Sequence, residues 1–400
     1  EMGGLFEKGH ERGEEVEPQS TRRRCPRRVM CLFPVCPARV RPPRFGHGAT
    51  ESGTPAAALA LTGRIPPCPV LRLAPLALVA TFLFACGGSS SDVGASLAVA
   101  EAMSGDTTGY ARATAVRPFV FPEDHGPNPG FKTEWWYVTG NLRATDGTGR
   151  RFGLQFTVFR SALVPGASAP RPSEWAADQL FMAHVGLSDV SAGRFYAGES
   201  FSRGAAGLAG ATGGDTLRVW LGELELERDG ALVGNGAMPL RIVARTDEGA
   251  GYSLRAMPVK PLVLQGDRGL SQKGPGEGNA SYYYSQTRMT TTGTVTLPGG
   301  ESVPVEGLTW LDREWSTSAL GPDQVGWDWF ALHLDDGRDL MIYQLRQSDG
   351  TKDPLSKGTL VSATGEKRHL DASEYTLEPL GTWTSTLGGT YPIRWRIRIP

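Results

Sequence analysis

The run Glu134-Trp135-Trp136-Tyr137 opens a pattern that the chain contains twice. The first copy continues to Leu142, turns at Asp146-Gly147 and returns as Phe152-Gly153-Leu154-Gln155-Phe156-Thr157-Val158-Phe159-Arg160. The second copy starts at Trp327-Asp328-Trp329-Phe330, reaches Leu334, turns at Asp336-Gly337 and returns as Leu340-Met341-Ile342-Tyr343-Gln344-Leu345-Arg346. Asp-Gly between apolar runs is a strong hairpin signal, because both turn positions tolerate positive φ. The repeat therefore predicts two related antiparallel β units.

The rest of the chain after Pro118 has the same texture of short strands separated by Gly, Asp or Pro. This pattern is typical of an all-β sandwich or barrel, and long helical periodicity is absent. We predict two tandem antiparallel barrels, at 118–265 and 281–400, joined by a Gly-rich linker at 266–280. Alternation from Ile393 to Ile399 predicts a half-buried strand that stops in mid-pattern, so we expect the C-terminal end of the second barrel to be missing.

The N-terminal part of the chain reads as a leader. Residues 1–63 show no strand or helix period, and we expect them to be disordered or mistranslated upstream sequence. Residues 64–85 have a basic start and an apolar run too short to span a bilayer, which predicts a signal peptide. Cys86 follows Leu83-Phe84-Ala85 and resembles a lipobox cysteine, so we predict lipidation there. Residues 86–117 would then form a flexible tether.

Composition excludes several classes of function. The formal net charge is −1 over 400 residues, and nucleic-acid binding normally needs a basic face, so we predict no nucleic-acid partner. Every cysteine other than Cys86 lies at or before Cys68, which argues against a disulfide framework or a thiolate metal site in the folded part. HxH and HExxH pairs, Gly-x-Ser-x-Gly elbows and phosphate-binding glycine loops are missing from the sequence. We therefore predict no metal and no cofactor.

Five blocks, in order from about Phe119 to Pro400, resemble a known family. They are Asp124-His125-Gly126, Lys132-Thr133-Glu134-Trp135-Trp136-Tyr137-Val138-Thr139-Gly140, Tyr283-Tyr284-Ser285, Trp310-Leu311-Asp312-Arg313-Glu314-Trp315-Ser316 and Gly326-Trp327-Asp328-Trp329-Phe330. The family is the carotenoid 1,2-hydratase (hydroxyneurosporene synthase) superfamily, in its secreted lipocalin-like branch. The resemblance implies two calycin-type, lipocalin-like barrels. It also implies addition of water to an isolated carbon–carbon double bond of an acyclic carotenoid.

Hydration of an unactivated alkene needs a proton donor and a dry aromatic site that stabilises the carbocation. Carboxyl groups beside indoles should have raised pKa values, as an acid catalyst requires. The candidate catalytic residues are Asp312, Glu314, Glu134 and His125, the last lying in a Pro/Gly-rich loop where turn capping is the alternative role. The candidate ligand-binding residues are Trp135, Trp136, Tyr284, Arg313, Trp315, Trp327, Trp329 and Tyr343.

One of these residues departs from the family. Arg313 stands where hydratases of the family have histidine, and arginine is a poor proton shuttle. We expect Arg313 to pair with Asp312, Glu314 or a ligand carboxylate and to orient the two acids. The alternative is that Asp312, Arg313 and Glu314 form a purely structural ion-pair network.

Three functions remain open at the level of sequence. The first is an envelope lipoprotein that binds an apolar lipid or isoprenoid and hydrates it. The second is a non-catalytic lipid-binding or transfer accessory of an ABC exporter, and the third is a secreted hydrolase of unknown substrate. We expect the protein to lie in the bacterial cell envelope, held by a lipid anchor and facing the periplasm or the outer membrane.

Overall fold

The computed structural model describes residues 106–166, 173–318, 320–385 and 389–400, and these are almost entirely antiparallel strands. The prediction of an all-β, lipocalin-like fold is confirmed. The described residues contain only three short 3₁₀ turns, at Glu123–His125, Gly214–Thr216 and Ala372–Glu374. The predicted upstream segment 1–63, the signal peptide 64–85 and Cys86 lie outside the described residues, and the tether is described only from residue 106.

The described chain forms 19 strands. They are β1 Thr133–Ala144, β2 Arg151–Ala162, β3 Gln179–Asp189, β4 Arg194–Arg203, β5 Ala209–Thr212, β6 Arg218–Leu221, β7 Leu224–Arg228, β8 Leu240–Arg245, β9 Gly251–Pro258, β10 Val263–Leu264, β11 Leu270–Gln272, β12 Ala280–Thr296, β13 Ser302–Ser316, β14 Gln324–His333, β15 Asp339–Gln347, β16 Lys357–Val361, β17 Lys367–Asp371, β18 Thr376–Thr384 and β19 Thr390–Arg398.

A 13-stranded sheet curls into a nearly closed barrel. Its order is β4-β3-β2-β1-β13-β12-β9-β8-β7-β6-β5, and β10 and β11 also pair with β12. Strands β14 to β17 form a second sheet in chain order, and β18 and β19 form a separate hairpin. One large core, built from β1–β3, β6–β9, β12 and β13 among others, fills the 13-stranded sheet. Burial of this apolar surface is the main source of stability.

Both predicted hairpins are present. In β1–β2, Leu142 pairs with Phe152, and in β14–β15, Leu332 pairs with Leu340. Gly147 and Gly337 adopt φ of +84° and +83°, the left-handed conformation that the Asp-Gly turn requires. The aromatic-led pattern thus places each hairpin correctly.

The predicted domain division differs from the observed sheets. Strands β12 and β13 fall within the predicted second barrel 281–400, but β13 pairs with β1 and β12 pairs with β9. The predicted linker 266–280 contains β11, which pairs with β12. The physical reason is that β12 and β13 are buried on both faces near Tyr283 and Arg313, so they form a wall shared by two cores.

The two faces of this shared wall follow strict strand alternation. Leu311 and Trp315 join the large core of the 13-stranded sheet. Trp310, on the opposite face, joins a second core that lies against the second sheet. That second core consists of Tyr283, Trp310, Ala331, Met341, Tyr343 and Leu345, with Leu320, Trp329 and Leu355 at its margin. A third core, containing Phe330 and Trp395, joins the second sheet to the β18–β19 hairpin.

A buried ion-pair network joins the second sheet to the first. The Asp339 carboxylate on β15 is fully buried and accepts a hydrogen bond from Lys260 Nζ at 2.6 Å. It also accepts bonds from Arg288 on β12, at 2.7 and 3.0 Å, and from the Thr287 hydroxyl. The buried Asp339 carboxylate thus holds Lys260, Arg288 and Thr287 in one arrangement.

Two kinds of feature are absent from the part of the chain that the structure describes, a membrane-spanning helix and a metal-binding cluster. No helix there is long and apolar enough to cross a membrane. No group of three or more His, Cys, Asp or Glu side chains there is arranged to hold a metal ion.

Candidate functional site

The predicted site residues divide between the two faces of the shared wall. On β13, Asp312 and Glu314 share the face of Trp310, whereas Arg313 and Trp315 share the opposite face. The register extends both faces across β1, where Tyr137 pairs with Asp312 and Trp136 pairs with Arg313. The structure therefore separates Asp312 and Glu314 from Arg313, which was predicted to orient them, and from the other two catalytic candidates, Glu134 and His125.

Asp312 is almost completely buried on the face that meets the second sheet. Its Oδ1 accepts hydrogen bonds from the Ser285 hydroxyl, across the strand pair, and from Trp310 Nε1 at 2.8 Å. Burial raises the pKa of Asp312 to about 7, although the hydrogen bonds from Ser285, Trp310 and Tyr283 lower it in part. A carboxylic acid with this pKa holds a transferable proton near neutral pH.

A chain of hydrogen bonds from Thr359 through Gln265 and Ser285 holds the Asp312 carboxyl in place. Gln265 Nε2 donates to the Ser285 hydroxyl oxygen at 2.9 Å, which leaves the Ser285 proton for Asp312. Thr359 on β16 donates to Gln265 Oε1 at 2.6 Å. All four side chains are buried. Because each donor has one acceptor, the Asp312 carboxyl is held in a single orientation.

Aromatic side chains surround this carboxyl. Tyr137 lies opposite Asp312 on β1, and its ring meets the Trp329 indole edge-on at 5.2 Å between ring centroids. Burial raises the pKa of the Tyr137 hydroxyl well above its usual value, and the nearby Asp312 charge adds to this. Burial likewise raises the pKa of Tyr283, with contributions from Asp312 and Glu314. These rings give the site the low polarity that keeps Asp312 protonated.

Glu314 lies on the same face as Asp312 but in a different charge environment. It accepts a hydrogen bond from the Ser281 hydroxyl, and Lys273 Nζ lies 3.3 Å from its Oε1. Lys273 also lies over the Tyr343 ring, 4.1 Å from its centroid. Tyr343, a predicted ligand-binding residue, is therefore part of this site through the cation–π contact.

Glu134 does not fit the predicted role of proton donor. It is fully buried between Arg160 and Arg313, and it also accepts the backbone N–H of Asn128 at 3.0 Å. Burial alone would raise the pKa of Glu134, but Arg313 and Arg160 together hold it below its usual value. The carboxylate is thus ionised at neutral pH, and we correct the prediction: Glu134 is the anion of a structural network.

Arg313 does not orient the two acids as predicted. Its Nη2 donates to Glu134 and to the Gly126 carbonyl at 2.6 Å. Its guanidinium lies over the Trp136 ring at 4.0 Å and near the Trp315 ring at 4.9 Å. The prediction failed because adjacent residues of a strand point to opposite faces. Trp136 and Trp315, predicted to contact a ligand, pack against Arg313 in the large core instead.

His125 also lies on the large-core face. Its Nδ1 accepts a hydrogen bond from the Tyr284 hydroxyl at 2.6 Å, and its Nε2 donates to the Gly236 carbonyl at 2.7 Å. Burial lowers the pKa of His125 to about 4. The imidazole is therefore neutral at physiological pH. The predicted catalytic role of His125 is not supported, and Tyr284 serves as its hydrogen-bond partner.

This assignment of His125 predicts a measurable pH dependence. Because the pKa of His125 is depressed in the folded state, the protein keeps its full free energy of unfolding above the ordinary value near 6.5. It loses part of that free energy as pH falls towards 4. We expect the free energy of unfolding of His125→Asn, measured by urea titration, to depend less on pH between 6.5 and 4 than that of the wild type. His369→Asn is the comparison variant: burial lowers the pKa of His369 too, but its side chain is 37% exposed, so this variant should change the slope less. An unaltered slope in His125→Asn would contradict the assignment.

The remaining aromatic candidates lie at the edge of the site or away from it. Trp329 contacts Tyr137 and borders the second core. Trp327 is 43% exposed, so it does not line an enclosed site. Trp135 is half-buried and meets Phe159 at 6.1 Å between centroids, away from the second core.

Sequence reasoning missed several residues of the site. They are Ser285, Gln265, Thr359, Lys273, Ser281, Tyr283 and Tyr137. One signal pointed to two of them, since Tyr283 and Ser285 alternate in the block Tyr283-Tyr284-Ser285 and share a face when that block is a strand. Gln265 and Lys273 come from the segment read as the end of a domain and a linker, and no motif marks them.

Comparison with known proteins places the chain in a family. The AttH-like family profile matches residues 112–400. The chain belongs to the AttH-like family. A crystal structure assigned to AttH from Nitrosomonas europaea is 36% identical, with a TM-score of 0.62 over 72% of this chain and 83% of that one. The predicted membership of a hydratase-related, lipocalin-like superfamily is confirmed for this AttH-like protein.

Two kievitone hydratases are also similar to this AttH-like protein. The enzyme of Fusarium solani subsp. phaseoli is 28% identical over 91 residues, which is 22% of this chain and only a quarter (25%) of the relative's length. The crystal structure of kievitone hydratase from Nectria haematococca has a TM-score of 0.51 at 17% identity, over 73% of this chain and 80% of that one. At this identity the second comparison supports the fold alone.

Proposed function

We propose that this AttH-like protein is a hydratase that adds water to a carbon–carbon double bond of an apolar, isoprenoid-type ligand. The observation that supports the proposal most strongly is Asp312, a buried carboxyl with a pKa of about 7 among Tyr137, Tyr283 and Trp310. Similarity to kievitone hydratase points to the same reaction class.

The chemistry follows from the position of the acid. Asp312 transfers its proton to one alkene carbon, so the C–H bond forms as the π bond breaks and the neighbouring carbon becomes a carbocation. Rings such as Tyr137 and Trp329 stabilise the cation through their π faces, by about 2 kcal/mol when desolvated. Water then attacks the cation and loses a proton, giving the tertiary alcohol. Proton donation of this kind accounts for about 10²–10⁴-fold in rate.

The alternatives differ in what they require of Asp312. A lipid carrier, such as an accessory of an ABC exporter, needs an apolar cavity and gains nothing from a buried carboxyl, which destabilises an otherwise apolar site. A hydrolase needs an activated nucleophile, whereas the raised pKa of Asp312 suits a proton donor. The predicted lipidation of Cys86 is compatible with each function, since an anchor would place the site beside membrane-dissolved ligands.

The proposal is tested by incubating the full-length protein with lycopene and with farnesol in water enriched in heavy oxygen. Mass spectrometry should show products that have gained one labelled water. An ester or amide cleavage product in a parallel screen, without any hydration, would favour the hydrolase. Binding of lycopene without conversion would favour the carrier.

A further inference from the structure

Asp312 and Glu314 are two residues apart on one face of β13. At roughly 3.3 Å rise per residue, their Cα atoms are about 7 Å apart along the strand. Both side chains are buried on the face that meets the second sheet. The proposed hydration uses Asp312 and leaves the second carboxylate without a role.

A buried cation lies beside Glu314. Lys273 Nζ lies 3.3 Å from Oε1 of Glu314, and the Ser281 hydroxyl donates to the same atom. Burial would lower the pKa of Lys273, but Glu314 and Tyr343 outweigh it and raise the pKa, so the ammonium stays charged. Lys273 is held over the rings of Tyr343 and Tyr283, 4.1 and 5.2 Å from their centroids. The two neighbouring carboxyls thus differ in their partners, since Asp312 accepts hydrogen bonds from Ser285 and Trp310 whereas Glu314 lies against a cation.

This inference rests on the proposed function. We propose that Glu314 is the general base that accepts a proton from the attacking water, and that Lys273 is a positioning residue that holds the Glu314 carboxylate in place. As the water oxygen bonds to the carbocation, one of its O–H bonds breaks and the proton passes to Glu314. At the end of the reaction Asp312 is ionised and Glu314 is protonated, so every proton is accounted for.

The position of the two carboxyls allows two different roles. In an alkene hydration the acid and the water act on adjacent carbons, so two carboxyls that lie two positions apart on one face of a strand can serve the two steps separately. Tyr283 pairs with Glu314 across the strands and interacts with both carboxyls.

The groups that face Glu314 are few and can be varied separately. They are Asp312 on β13, Ser281 and Tyr283 on β12, Tyr343 on β15 and Lys273 from the segment after β11. Glu306 lies on β13 as well but is exposed, so Glu306→Gln provides a matched control.

The experiment measures kcat and KM for heavy-oxygen incorporation into lycopene and farnesol by the full-length protein and five variants, of which Asp312→Asn is one. We expect Glu314→Gln and Lys273→Met to lower kcat by about 10²-fold or more with KM nearly unchanged. Lys273→Arg should restore most of the rate, because it keeps the charge. Glu306→Gln should match the wild type. Circular dichroism establishes that each variant is folded.

The outcomes separate this inference from the proposed function. If Asp312→Asn is inactive while Glu314→Gln keeps full kcat, the base assignment is overturned and the hydratase stands. If Lys273→Met changes KM alone, the positioning role is overturned. Infrared difference spectra of glutamate-labelled protein give a test that needs no turnover. They should show a carboxylate band that is lost in Glu314→Gln and shifted in Lys273→Met, and a band that Lys273→Met leaves unshifted overturns the inference even where neither probe is hydrated.

Discussion

Asp312→Asn is expected to lower the rate of hydration by about 10²–10⁴-fold without loss of the fold, because asparagine keeps the acceptor oxygen but has no acidic proton. That oxygen still accepts the hydrogen bonds from Ser285 and Trp310. The measurement is kcat/KM for heavy-oxygen incorporation into lycopene or farnesol. Asp335→Asn, at an exposed position in the turn before β15, is the matched control.

The same variant should become more stable than the wild type at alkaline pH. Because the pKa of Asp312 is raised to about 7 in the folded state, ionisation is disfavoured there, and the wild type loses stability as pH rises through about 7. A shift from 3.8 to about 7 corresponds to a few kcal/mol, at roughly 1.4 kcal/mol per pKa unit. Urea unfolding at pH 5 and pH 9 should show the loss in wild type and not in Asp312→Asn.

These two results belong together. A structural role for Asp312 would make Asp312→Asn less stable at every pH and would not single out kcat. If the variant hydrates either probe at the wild-type rate, Asp312 is not the acid. If the wild type shows no loss of stability between pH 5 and pH 9, the carboxyl is not held in its acid form.

Glu134→Gln is expected to destabilise the protein by about 3–5 kcal/mol, because it leaves the buried guanidinium groups of Arg160 and Arg313 without their anion. All three side chains are fully buried. Glu223→Gln, which changes an exposed glutamate in the same way, should have an effect below about 0.5 kcal/mol. Chemical unfolding monitored by tryptophan fluorescence measures both.

The pH dependence of the free energy of unfolding of the wild type shows in which direction Glu134 acts. Its pKa is depressed in the folded state, so the stabilisation is present above the ordinary value of 4.5 and is lost as pH falls below it. Glu134→Gln should remove that part of the acid sensitivity. A variant as stable as Glu223→Gln would show that the two arginines have other partners, against the assignment of Glu134 as their structural anion.

The fold could be predicted from sequence where local chemistry decides it. The Asp146-Gly147 and Asp336-Gly337 turns, with aromatic strands on either side, specify two hairpins by backbone conformation alone. The boundary between the two units could not be read in this way. Residues Tyr282 to Ser285 look like the start of a new domain, but their partners on β13 and β10 depend on long-range pairing.

The site was predicted in part for a related reason. Carboxyls beside indoles predicted raised pKa values, and burial raises the pKa of Asp312 to about 7 in the structure. Strand alternation within the same block places Asp312 and Glu314 on the face opposite Arg313. The prediction that Arg313 orients the two acids was therefore wrong. Lys273 could not be found, because it lies in a Gly-rich segment and meets Glu314 only through tertiary packing.

The most direct test of the account is the pKa of Asp312 in the folded protein. Carbon-13 carboxyl resonances of aspartate-labelled protein can be followed by NMR over a pH titration, with Asp312→Asn assigning the signal. We predict a titration midpoint near pH 7. A midpoint near the ordinary aspartate value of about 4 would show an ionised, solvated carboxyl and would contradict the proposed acid catalysis.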